Sequence, residues 1–248
     1  MHRTLACGFA LLLLGSAATA AEIKVLSAGA VEPGLHKAIE RFKAATGHDV
    51  KIQFNTAPQI AQRMQEGYVA DVVIAPPAGL KQQSDAGRIA ADGHVTVGKV
   101  GIGIVVRSDA SSSPIATAED LKTAVLNADA VIYNTASTGL YLERLFERLG
   151  IADQIRGKST RPPTGEAVMQ LVIGGSSKQI GFGAITEIKL FEAKGIKFVG
   201  PLPADIQNYT TYSAALAANG PQPEAAKAFV AYLATPDARQ AFAAAGIE

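Results

Sequence analysis

Residues 21–76, "AEIKVLSAGAVEPGLHKAIERFKAATGHDVKIQFNTAPQIAQRMQEGYVADVVIAP", read as strand, loop, helix, strand, loop, helix, strand. Ile23 to Leu26 is a short apolar run, followed by the small-residue loop Ser27–Ala28–Gly29–Ala30. Leu35, Ile39 and Phe42 then recur at helical spacing, with Lys37, Glu40, Arg41 and Lys43 on the other faces. Gly47 is placed to stop that helix. Val50, Ile52 and Phe54 alternate with Lys51 and Gln53, the period of a half-buried strand. The polar loop Asn55–Thr56–Ala57 leads to Pro58, and proline suits the opening turn of a helix, where its missing N–H costs nothing. Gly67 ends this second helix and Asp71 to Ala75 is a third strand. Two strand-to-helix loops therefore lie side by side at one edge of a parallel sheet. Each aims free backbone N–H groups outward, a geometry suited to an anion.

Outward from this stretch, Met1 to Ala20 stands apart. A short start with His2 and Arg3, an apolar run and the small-x-small triplet Ala18–Thr19–Ala20 predict a signal peptide over 1–20 and export to the periplasm. The apolar run is shorter than the ~20 residues a spanning helix needs. Cys7 is the sole cysteine and leaves with that segment, so the mature chain forms no disulfide. The whole chain carries a formal charge of +1, and loss of Arg3 brings it to about zero. That balance argues against nucleic acid or an anionic membrane as partner.

Beyond Pro76–Pro77 a short helix covers Leu80 to Gly87. Val95 to Arg107, "VTVGKVGIGIVVR", is an extended run longer than one ordinary strand, as if it passed between two domains. Thr117 caps a helix, Ala130 to Tyr133 is a buried strand, and Asn134 to Gly139 is a third small-polar loop before a helix with Leu142, Leu145, Phe146 and Leu149 inward. Lys158 to Arg161 reads as a strand, Pro162 to Gly165 opens a helix, Ile180 to Ile185 is a strand, and Thr186 caps the next helix. Tyr209 to Ala217 is extended and uncharged, a second crossing between domains, and two helices finish the chain. The pattern predicts an α/β protein of two Rossmann-like lobes joined by two hinge strands. Residues 21–100 and 208–248 form lobe 1, and 101–207 form an inserted lobe 2.

No catalytic constellation stands out. His36, His48 and His94 are scattered without a metal-ligand spacing, and no G-x-S-x-G elbow is present. "GIGIVV" (101–106) lacks the third glycine of a dinucleotide fingerprint, and "GGSSK" (174–178) follows a helix where a phosphate loop precedes one. What remains is the repeated strand, polar loop, helix pattern. The loops at Ser27–Gly29–Ala30, Asn55–Thr56–Ala57, Ser137–Thr138 and Thr164–Gly165, two from each half, are expected to face one cleft. Thr138 and Thr164 also suit ordinary capping. Arg161 is either a bidentate anion partner or a strand-end surface arginine. Glu166, in the first turn of the helix after the fourth loop, stabilises the helix dipole but competes with a bound anion.

The segments "VLSAGAVEPGLHKAIERFKAATG", "QEGYVADVVIA", "TGLYLERLFERLGI" and "KAFVAYLATPDARQAFAAAGI" resemble the periplasmic molybdate-binding proteins, the substrate-binding component of an ABC importer. The resemblance covers nearly all of the mature chain. It implies two lobes with ligand between them, delivery to an ABC permease in the inner membrane, no cofactor, no catalysis and a monomeric protein. At the matching binding positions Ala30 replaces a serine, Asn55–Thr56–Ala57 replaces a glycine-serine-serine pattern, Thr138 keeps the small position of the third loop, and Ala184 replaces a tyrosine. These departures imply a larger or differently shaped anion such as an organic carboxylate. The alternatives are a periplasmic enzyme on the same scaffold and a ligand-sensing partner of a receptor. The exported chain is expected to begin at Ala21, and the intact mass of protein recovered from periplasm checks this; a mass that includes residues 1–20 refutes it.

Overall fold

The computed structural model describes residues 20–248, so the signal-peptide expectation lies outside the described residues apart from Ala20. Strands β1 (Glu22–Ala28), β2 (Asp49–Asn55) and β3 (Val72–Ala75) alternate with helices α1 (Glu32–Thr46), α2 (Ala57–Gln65) and α3 (Pro77–Asp85). The three strands are parallel in the order β2-β1-β3. β3 is buried throughout and β1 from Val25 onward, which is why these read as apolar runs where the edge strand β2 alternates. Strand β4 (Val95–Arg107) follows, then α4 (Ala118–Asn127), β5 (Ala130–Tyr133), α5 (Ser137–Arg148), the short α6 (Ala152–Ile155), β6 (Ser159–Thr160), α7 (Gly165–Gly174), β7 (Gln179–Ala184), α8 (Ile185–Phe191), β8 (Ile196–Pro201), β9 (Tyr209–Leu216), α9 (Pro223–Leu233) and α10 (Pro236–Ala244).

β4 belongs to two sheets. Its first half, Val95 to Gly101, pairs antiparallel with β9, which in turn lies beside β3. Its second half, Ile102 to Arg107, pairs antiparallel with β7 on one side and β8 on the other. β7 then continues in parallel to β5 and β6. Apolar packing follows the same division. One core gathers Leu26, Leu35, Phe42, Phe229 and Phe242 over the first sheet. Two more lie on the second sheet, one around Leu142, Phe146 and Phe182 and one around Val168, Met169 and Ile188. Thus β4 passes between halves as its length implies.

The second passage differs from expectation. β9 stays within the first sheet, and its pairing with β4 ends at Tyr209 opposite Gly101. The return runs through Gln207 and Asn208, where a side chain takes over the ladder. Gln207 Oε1 accepts from the Ile102 N–H at 2.9 Å, and Gln207 Nε2 donates to the Ile102 carbonyl at 3.0 Å. The strand expected at 158–161 shrinks to two residues. Before it, Ile151 and Ile155, one helical turn apart, are both buried and draw the chain into α6. Thr186 does not cap α8, whose N-cap is Ala184.

The C-terminal helices return to the first sheet, and one buried carboxylate fixes the return. Asp71, just before β3, accepts from the Lys24 N–H at 2.8 Å and from the Gln222 N–H, which leads into α9, at 2.7 Å. Asp71→Ala leaves both donors without their partner, a loss of about 1–3 kcal/mol. A melting midpoint lower by roughly 3–10 °C is expected for a chain of this size, read by thermal denaturation; an unchanged midpoint refutes the role.

Candidate functional site

Each βα unit ends its strand at the same edge, so the helix starts converge there. The β1 loop turns through a short 3-10 stretch, Gly29–Val31, into α1, while α2, α5 and α7 begin at Ala57, Ser137 and Gly165. The opening turns of helices carry N–H groups without intrahelical partners and a partial positive charge. Between them lies a cavity of about 40 Å³ lined by Ala28–Ala30, Asn55–Ala57, Pro76 and Tyr212 from the first sheet's side, and by Asn134, Ala136–Thr138, Gly165, Ala184 and Glu187 from the second's. That volume has room for a few water-sized groups. A buried hydrogen bond links the halves beside it: Thr186 Oγ1 donates to the Ala30 carbonyl at 2.6 Å.

The local sequence explains the shape of these loops. Thr56 forms a capping box with Gln59, whose Oε1 accepts the Thr56 N–H at 2.9 Å. Arg63 Nε donates to Asn55 Oδ1 at 2.9 Å and so holds the neighbouring loop side chain. Buried Asn134 accepts from the N–H groups of Ala136 at 3.0 Å and Gly139 at 3.2 Å, tying down the start of α5.

Of the residues expected to face the cleft, Gly29, Ala30, Asn55, Thr56, Ala57, Ser137, Thr138, Gly165 and Ala184 line the cavity together. Ser27, Thr164 and Arg161 do not. Ser27 is buried in β1 and its hydroxyl donates to the Ala28 carbonyl at 3.1 Å. Thr164 serves as the N-cap of α7, its hydroxyl accepting the Ala167 N–H at 3.1 Å. Arg161 pairs with Glu143 and lies over the Tyr133 ring at 5.3 Å, beside a separate cavity of about 290 Å³. β6 ends before it and turns its side chain toward α5.

Sequence reasoning missed Asn134, Pro76, Tyr212 and above all Glu187. The available signal was its position: an acid in the first turn of the helix that follows Ala184. Glu187 is half-buried and opens onto the cavity. Its carboxyl fits between the two halves because both neighbours are glycine. A Cβ at Gly165 would overlap Oε2, and one at Gly29 would sit 2.9 Å from Oε1. Burial first, then the nearby charges of Glu32 and Glu166, push its pKa up to about 7, against a smaller opposing pull from the Ala184 N–H. Burial and the Glu187 charge also push the Tyr212 phenol up. No arginine, lysine or histidine lines the cavity among the described residues. Nor do any three His, Cys, Asp or Glu side chains among them form a metal-holding group. The arrangement offers neutral donors and one carboxyl that titrates near neutrality.

Two α/β halves sharing a strand, with helix starts facing one cavity, define a two-lobed solute-binding fold. The family model described as bacterial extracellular solute-binding protein matches residues 23–248, and the chain belongs to that family. It is similar to the periplasmic molybdate-binding protein of Azotobacter vinelandii, with a TM-score of 0.76 and 16% identity, covering 91% of this chain and 98% of that one. A sulfate-binding protein from Mycobacterium tuberculosis aligns with a TM-score of 0.75 and 17% identity over 92% of this chain and 86% of that one. At such identity these two likenesses show the fold alone. A protein from a Pseudomonas species named aconitate isomerase is 32% identical over 257 aligned positions, 99% of this chain and 95% of its own length. No helix among the described residues is long and apolar enough to cross a membrane.

Since Arg161 is engaged away from the cavity, Arg161→Ala is expected to leave the affinity for a bound anion within about twofold, well under 1 kcal/mol. Calorimetry checks this, and a large loss of affinity would place Arg161 in the site.

Proposed function

We propose that this chain is the periplasmic solute-binding protein of an ABC importer and that it captures a small organic carboxylate between its lobes. Lobe 1 is taken as 21–100 with 208–248, and lobe 2 as 101–207. The observation that carries the reading is the convergence of four helix starts, two from each half, on one cavity without a cationic side chain among its lining residues. Such a site holds an anion by N–H and O–H donors. Ligand stabilises the closed arrangement by its greater affinity for it, around β4 and Gln207 as hinge. Release then delivers the solute to a membrane permease.

Two observations favour carboxylate over tetrahedral oxyanion. Ala30, Ala57 and Ala184 line the cavity and carry no hydroxyl. A hydrogen bond to a charged group contributes roughly 1.5–3 kcal/mol, so each missing hydroxyl weakens a site for molybdate. The relative named aconitate isomerase bears the name of a tricarboxylate.

A second reading, an isomerase on the same scaffold, is favoured by that relative together with Glu187. A carboxyl titrating near 7 can take a proton from a carbon and return it elsewhere on the same ligand. One experiment separates the readings. The mature protein is titrated calorimetrically with molybdate, sulfate, cis-aconitate and trans-aconitate, and each aconitate is then incubated with protein and followed by proton NMR. Tighter binding of a carboxylate than of either oxyanion is expected, with no conversion. At about 100 times its dissociation constant the ligand should stabilise by roughly 2.7 kcal/mol, a melting shift on the order of 5–10 °C. Submicromolar molybdate binding would overturn the carboxylate assignment, and interconversion of the two aconitates would establish the enzyme reading in place of pure transport.

A further inference from the structure

An anion site should repel a carboxylate at its centre, and here one is built in. Glu187 reaches between the halves into space that side chains at Gly29 and Gly165 would fill. No cationic side chain among the lining residues compensates it. The charges that bear on it from the packed elements are Glu32, at the start of α1, and Glu166, in the first turn of α7, both acids; Tyr212 of β9 also faces the cavity. The nearby basic groups are turned elsewhere. Lys189 lies beside Gly246, Lys194 lies over the Phe191 ring at 4.2 Å, and Lys197 donates to the Ala110 carbonyl at 2.8 Å. His36 of α1 is exposed and pairs with Glu32 at 3.6 Å.

We infer that the site takes up its anion together with one proton, held on Glu187, so that this side chain donates a hydrogen bond to the ligand in place of a hydroxyl. The inference rests on the reading of the cavity as an anion site and on that of a carrier, since a base at Glu187 would have to be ionised in the complex. A protonated carboxyl keeps one O–H donor, whereas the ionised form only accepts and repels. The donor faces a wall where Ala30, Ala57 and Ala184 supply none from their side chains.

The sign follows from the raised pKa. Below about 7 the group already carries its proton in the free protein, and binding is tightest. Above about 7 each binding event must draw a proton from solvent, and affinity falls up to tenfold per pH unit until the pKa of the complex is passed.

The test uses molybdate, sulfate and the two aconitates on the mature protein at pH 6.5 and 8.5, in two buffers of different ionisation enthalpy. For the anion that binds, we expect the dissociation constant to rise roughly twentyfold across that interval, with uptake of about one proton at the higher pH. Glu187→Gln keeps an N–H donor without a titrating group, so whatever affinity it retains should barely change with pH. His36→Gln should leave the wild-type pH dependence in place. Flat wild-type affinity without proton uptake overturns the proposal while leaving the anion reading standing, and it does so even if Glu187→Gln fails to fold. Loss of the pH dependence in His36→Gln overturns it in favour of His36. Absence of binding by all four anions at both pH values overturns the proposal together with the anion reading beneath it.

Discussion

The hydrogen-bond ladder of β4 is the constraint on which the rest depends. One strand cannot give the same N–H and C=O groups to two partners, so β4 serves two sheets only by dividing its length. Val95 to Gly101 serve β9, and Ile102 to Arg107 serve β7 and β8. Register shifts near Gly98 and between Ile104 and Val105 accompany that division. Because strand pairing on either side is fixed by buried apolar faces, neither half can slip along β4 without exposing its core. The two sheets are therefore held as separate bodies with a common backbone, and the space between their helix starts is a consequence. Gln207 completes the join with a side-chain amide acting as a short piece of strand toward Ile102.

The cavity balances two electrostatic tendencies. Helix starts favour negative charge, and partial burial strengthens that preference. Glu187 occupies the same region as an acid, and desolvation outweighs the Ala184 N–H that favours its ionised form. A carboxyl at that balance point is neutral or charged according to small changes in its surroundings, including the entry of a ligand. The glycines at 29 and 165 are needed for this, since only a backbone without Cβ lets the carboxyl come so close to both halves.

Positioning elsewhere is carried by short polar links between distant parts of the chain. Asp71 joins β1 to the turn before α9, and so fixes the C-terminal helices over the first sheet. The Thr186 hydroxyl reaches the Ala30 carbonyl and sets α8 beside the start of α1. Phe42 and Phe229 meet with ring centroids 5.0 Å apart and give that same face its apolar contact.

Much of this was legible in the sequence because it is local. The apolar spacing of Leu35, Ile39 and Phe42 produces α1. Thr56 with Gln59 produces the start of α2, and thirteen extended residues at Val95 to Arg107 produce the shared strand. The small-polar loops could be read as helix starts, and parallel strands put those of each half at one sheet edge; their meeting across the cavity came from the division of β4. Arg161, Thr164 and Glu187 were decided elsewhere. A strand-end arginine has no local preference between a cleft and a carboxylate on a neighbouring helix, and Glu143 took it. Thr164 looks the same in sequence whether it caps or binds, and packing set it to cap. Glu187 looked like an ordinary first-turn acid. Only the closing of two lobes around it, with glycine on either side and no cation among the lining residues, turned it into the group that governs charge in the cavity, because desolvation depends on every residue that surrounds a charge and none of those is its neighbour in the chain.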